Sequence, residues 1–115
     1  MYVGGDKTIR NNDFGLRSFT ESNFRHNLIK LTGGVNPGKD IHAHHVIPKE
    51  FRVQAAAAGI NVNDPGNGMW LPKSAHQQAH SQRYNLQWEN FFQTPRTHSE
   101  VVTFGQNILH RYGIY

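Results

Sequence analysis

Residues 61–68 read NVNDPGNG. Asn, Asp, Pro and Gly each favour turns for a separate reason: side-chain bonds to nearby backbone, a preset φ, or freedom at positive φ. Seven of these eight positions carry one of them, so the stretch must be a tight loop. After it, Met69-Trp70-Leu71 reads as a buried strand fragment. Before it, residues 40–46 (DIHAHHV) are short enough for a strand running into a loop at Pro48. The two make a short ribbon. Residues 49–58 (KEFRVQAAAA) place four Ala ahead of Gly59 and predict a short packing helix, and Pro72 suits the first turn of a helix that carries His76 and His80.

The flanks are helical. Phe19-Thr20 opens a helix in which Thr20 is the N-cap, Phe19 and Phe24 are a hydrophobic staple, Phe24, Leu28 and Leu31 share a face, and Gly33-Gly34 is the stop. The aromatic run 84–92 (YNLQWENFF) closes the core, with Trp70 and Trp88 read as core residues. Thr97 and Glu100 make a capping box for an amphipathic helix through Val101, Phe104, Ile108, Leu109 and Tyr112. Residues 1–18 are polar and without period, a flexible lead-in or linker stub ahead of a single domain over 19–115. The expected class is α+β, mainly helical.

Composition narrows the chemistry. Twelve Lys and Arg against eight Asp and Glu, with eight His besides, give a surface that favours polyanions, nucleic acid first. The absence of Cys excludes disulfides, thiolate metal sites and a cysteine nucleophile, leaving His, Asp, Glu or Asn for any metal. The longest apolar stretch, residues 55–60, is far short of the roughly 18 needed to span a bilayer. The start MYVGGDKTIR has no signal-peptide core, so no membrane insertion is expected of the chain, which reads as soluble.

His76 and His80, four apart on one helix face, are spaced to chelate one cation. Alone, the pair equally describes two solvated histidines. A zinc-protease helix would need Glu after the first His as base, and Gln77 stands there. In the other cluster, His42-Ala43-His44-His45, strand alternation points His42 and His44 to one side and His45 to the other. A twist at the strand end lets His44 complete a three-nitrogen site with His76 and His80, with open positions for substrate or water. His45 stays out of that set, and an ordinary imidazole suits it as general base near neutral pH. A binuclear HxHxDH hydrolase is excluded by Val46 and Ile47. A polar surface tract is the plain alternative for the cluster. His42 either orients substrate or lines the groove, or is a passive exposed residue, and His26, His98 and His110 are structural or surface histidines. For clamping phosphate, Arg83 just after the helix is favoured over Lys49, Arg52 and Lys73.

The order His44-His45, Pro48, Asn67, Met69-Trp70-Leu71-Pro72, His76 and His80 resembles the HNH/endonuclease VII nucleases with a ββα-metal (His-Me finger) core. It is closest to their AHH branch, named for Ala43-His44-His45 and common as C-terminal toxin domains of bacterial polymorphic toxins. The likeness runs over about residues 20–113 and includes FRHNLIKLTG, YNLQWENFF and the final RYG. It implies a ββα-metal fold with His44 and His76 as metal ligands, His80 as the extra ligand of nuclease-colicin-type members, and His45 as the base that activates water. Asn67 would tie down the loop between the strands through backbone bonds. His44 replaces the Asp of many members, a softer neutral ligand for a hard anionic one. One divalent ion is implied, with zinc, nickel or manganese favoured by nitrogen ligands and magnesium still able to serve in turnover. The implied activity is metal-dependent endonucleolytic cleavage, DNA first. The resemblance also implies delivery inside a larger secreted polypeptide, and a cognate immunity protein. The rival readings are a non-catalytic nucleic-acid-binding module with a closed structural metal site, and a packed core with incidental metal affinity.

Overall fold

The structure, a computed structural model, describes residues 15–81 and 83–112. These form helices α1 (Phe24–Leu31), α2 (Arg52–Ala57), α3 (Lys73–Ser81), α4 (Tyr84–Phe91) and α5 (His98–Arg111), and strands β1 (Ile41–His45) and β2 (Gly68–Pro72). The class is α+β with a two-stranded antiparallel sheet, consistent with a ββα nuclease core. Among the described residues no helix is long and apolar enough to cross a membrane.

Most of the expected lead-in, residues 1–14, lies outside the described residues. At its end Leu16 is buried, and the Asn27 side chain holds Arg17 by accepting from its N–H (2.8 Å) and donating to its carbonyl (3.0 Å). The fold therefore reaches back at least this far. Helix α1 starts later than expected. The chain first turns over 20–23, with Asn23 N–H bonding to the Thr20 carbonyl, and the Thr20 hydroxyl pairs with that of Ser22 rather than capping. Phe24 thus becomes the first helical residue, too early to be the distal half of a staple. The C-terminus is as expected. Gly33 and Gly34 take φ of 109° and 84°, and Gly34 N–H reaches back to the Ile29 carbonyl at 2.7 Å, the six-to-one bond of a Schellman end.

The strands pair with His42 opposite Leu71, His44 opposite Met69 and His45 opposite Gly68. Between them, Asp64 caps a 3₁₀ turn (Pro65–Asn67) by accepting the Gly66 N–H. Two expectations on β2 are corrected. Only Leu71 of Met69-Trp70-Leu71 is buried. Trp70 lies on the ribbon face away from Leu71, where its indole N–H donates to the Thr32 hydroxyl and its ring lies beneath the Arg25 guanidinium, so it is not a core tryptophan. Pro72 ends β2 instead of entering α3.

The core lies on the other side of the loop. Val46, Ile47, Ile60 and Leu71 meet Tyr84 and Trp88 of α4 and Val101, Ile108 and Leu109 of α5. Trp88 is fully buried and makes edge contact with Phe104 across 4.8 Å. At the start of α5 the capping box forms: Thr97 accepts from Glu100 N–H, and the Glu100 carboxylate accepts from Thr97 N–H. That backbone bond lowers the Glu100 pKa. A depressed carboxyl pKa contributes stability that is present above the unfolded value and lost as pH falls through the folded one. The difference in urea midpoint between wild type and Glu100→Gln is therefore expected at neutral pH and should shrink away as acid protonates the carboxylate. A difference that persists in acid would refute the assignment.

Candidate functional site

Strand alternation and a short connection bring the histidines together. Lys73 N–H donates to the Asp40 carbonyl beyond the end of the ribbon, so α3 follows β2 without a loop and folds over the ribbon face that carries His42 and His44. His76, on the first turns of α3, meets both. Its ring is edge-on to His44 with centroids 5.0 Å apart, and its Nδ1 lies 2.9 Å from Nδ1 of His42. His44 is only 2 % exposed and is backed by the Tyr84 ring, centroids 5.1 Å apart. The Tyr84 hydroxyl donates to the Val46 carbonyl, tying α4 to the strand end.

His45 faces the opposite way, toward α1. Its ring stacks on Phe24 with centroids 3.7 Å apart and an interplanar angle of 13°. The Asn63 Oδ1 lies 3.0 Å from His45 Nε2. An amide oxygen only accepts, so Nε2 carries the proton and Nδ1 keeps its lone pair. Burial lowers the His45 pKa, against a rise from the Asn63 bond, and so favours the neutral ring.

The stack depends on Gly68, directly across the ribbon from His45. A Cβ there would lie 2.9 Å from Leu28 Cδ1 and 3.0 Å from both Phe24 Cζ and the Pro65 carbonyl oxygen. The carbonyl cannot yield, and Phe24 yields only by leaving His45. Gly68→Ala is expected to cost about 1–3 kcal/mol in urea denaturation and to slow any reaction that uses His45. Wild-type stability and rate in this variant would show that Phe24 needs no such space.

Asn67 is fully buried. Its Oδ1 accepts from Ile47 N–H (2.9 Å), and its Nδ2 donates to the carbonyls of Ile47 (3.1 Å) and Val62 (2.9 Å). Its own carbonyl accepts from Val46 N–H at 2.8 Å, extending the ribbon past its last paired residue.

A groove of about 420 Å³ crosses the outer edge of β1, with His44, His45, His76, Lys49, Glu50 and Asn85 among its walls. Because it runs over the strand edge, rings from both faces reach it. Lys49 pairs with Glu21 at the rim, and Asn85 Nδ2 donates to the Glu50 carboxylate. Arg83, the favoured phosphate clamp, stands exposed at the N-cap of α4 with φ 64° and is not among these walls. Lys73 and Arg52 are exposed and not among these walls, although the Arg52 guanidinium donates to the carbonyl of the wall residue Lys49. His80 falls within α3, but its side chain lies outside the described residues.

Two imidazoles sharing one ion at about 2.0–2.1 Å bring their ring centres to roughly 5 Å. The His44–His76 spacing would fit such an ion, and imidazole donors suit metals such as zinc or nickel. Among the described residues no group of three or more His, Asp or Glu is poised to hold a metal. Sequence reasoning passed over Phe24, Asn63, Gly68 and Tyr84. His42 alone had a visible sign, its place two residues before His44 on the same strand face.

No curated protein and no solved structure matches the chain. A family model does, over residues 26–112: AHH, a nuclease family of the HNH/ENDO VII superfamily with conserved AHH. That span takes in Ala43-His44-His45, both strands, the 3₁₀ turn that carries Asn67, and α3. With the strand pair, the helix folded over it and the adjoining histidines all inside the matched span, the chain belongs to the AHH nuclease family.

Proposed function

We propose that the domain is a divalent-metal-dependent endonuclease that hydrolyses phosphodiester bonds in DNA. The observation that carries this reading is the meeting of His44, His45 and His76 at one groove from a strand and a helix. His44 and His76, with His80, would hold the ion, which when bound supplies positive charge to the scissile phosphate and the departing 3′ oxygen. His45 takes the proton of the attacking water at Nδ1, with Asn63 holding the tautomer and Phe24 the plane of the ring. Asn67 keeps the strand ends and the base loop in place. Lys49, in the wall, is better placed than Arg83 to meet a phosphate, which would replace Glu21 as its partner. Few side chains are left to read base edges, so sequence preference should be weak.

The same reading extends to the biology that the family resemblance implies: a toxin effector domain, delivered into a target cell as part of a larger secreted polypeptide and neutralised by a cognate immunity protein. A digestion gel tests the core of it. Plasmid DNA should be nicked with Mg²⁺, Mn²⁺ or Zn²⁺ and left intact with chelator, while circular dichroism stays unchanged, because the apolar core is built from residues other than the candidate ligands. Cleavage of structured RNA alone would overturn the substrate. Unfolding by chelator would favour the structural-metal module instead.

A further inference from the structure

We propose that His42 is a positioning residue for His76: its Nδ1 accepts the Nδ1–H of His76, holding that ring in the tautomer whose Nε2 carries the lone pair. This rests on the reading of His76 as a cation ligand. The 2.9 Å between the two Nδ1 atoms is a hydrogen-bond distance, so one ring donates and the other accepts, and two arrangements are possible. If His42 donated, His76 would accept at Nδ1 and carry its proton on Nε2, leaving no lone pair to offer. If His76 donates, its Nε2 carries no proton and keeps the lone pair that a ligand needs. Ligating histidines characteristically donate their other ring N–H to a fixed acceptor, which sets the tautomer and raises basicity. The acceptor is usually a carboxylate or carbonyl. Here a third histidine of the same strand stands in that position.

His42 is well built for this. It is paired to Leu71 inside the ribbon, and the Lys73–Asp40 backbone bond fixes where α3 begins relative to it. The two rings meet nearly at right angles, 87°, through their nitrogens and not face to face, so the contact is polar and directional. It also accounts for the spacing of His42 and His44: one strand face supplies both a ligand and the orienting partner of the next ligand.

The test uses the whole chain, wild type, His42→Ala and His42→Asn, with Zn²⁺ and Co²⁺ as probes. Asn places an acceptor oxygen near the site of imidazole Nδ1. Calorimetry should show metal affinity falling roughly 10–100-fold in His42→Ala and returning to within a few-fold of wild type in His42→Asn. Nitrogen-15 NMR of the metal-free protein should find His76 as the Nδ1–H tautomer in wild type and His42→Asn. The Co²⁺ visible spectrum should be the same in wild type and His42→Asn. An Nε2–H tautomer at His76 or unchanged affinity in His42→Ala would overturn the proposal. So would a shifted Co²⁺ spectrum in His42→Asn, which would make His42 itself a ligand. A wild type that binds neither ion would instead remove the metal reading on which the inference rests.

Discussion

Replacing His45 by alanine is expected to slow DNA cleavage by about 100- to 10,000-fold, the usual worth of a positioned general base, while the metal affinity stays near wild type. Lowered rate with retained affinity follows from the two faces of β1. His45 turns toward Phe24 and Asn63, whereas His44 turns toward His76, so deleting the first ring leaves the second undisturbed. Added imidazole should restore part of the rate, because the vacated space beside Phe24 admits a planar ring. Cleavage that survives in His45→Ala would remove the assignment of the base. A parallel fall in metal affinity would mean that the two faces are not independent.

The second large effect is on stability. Asn67→Ala strips three bonds from a fully buried side chain and orphans an N–H and two carbonyls. At about 1–1.5 kcal/mol for each bond, the loss comes to about 3–4.5 kcal/mol. That is a large share of the roughly 5–15 kcal/mol that holds a domain of this size together. Asn67→Asp should be no better at neutral pH, since a carboxylate keeps the Ile47 N–H but faces both carbonyls without a proton to give. Equilibrium urea unfolding measures both. A cost under about 1 kcal/mol for Ala would show that the backbone finds other partners.

Much of this arrangement was legible because it is local. Alternation along β1 separates His45 from His42 and His44, turn chemistry marks residues 61–68, and Thr97 with Glu100 announces α5. Asn67 was singled out through its family motif, and the contacts it makes have the form expected of a residue tying down a loop. What was not legible joins segments far apart. Nothing around Phe24 says that it will lie under a ring 21 positions later, and nothing around Gly68 says that a helix will press against it. Thr20 was misread because a hydroxyl that can cap can equally bond within a turn, and only the backbone path decides. Trp70 was misread because large aromatics are usually interior, yet its strand position faces α1 and Arg25. Arg83 is favoured from proximity in the chain, which does not reveal that this residue stands exposed as the N-cap of α4.

The ribbon has a further consequence. Adjacent residues 44 and 45 serve opposite sides of a two-stranded sheet, and a slip of one rung would exchange them, putting the stacked ring under α3 and the other against Phe24. Asn67, bonded to Val46 and Ile47 just past the last pair, is the peg against such a slip. Mispaired molecules would therefore be inert and not merely slow, so the specific activity of a preparation would count its correctly threaded chains.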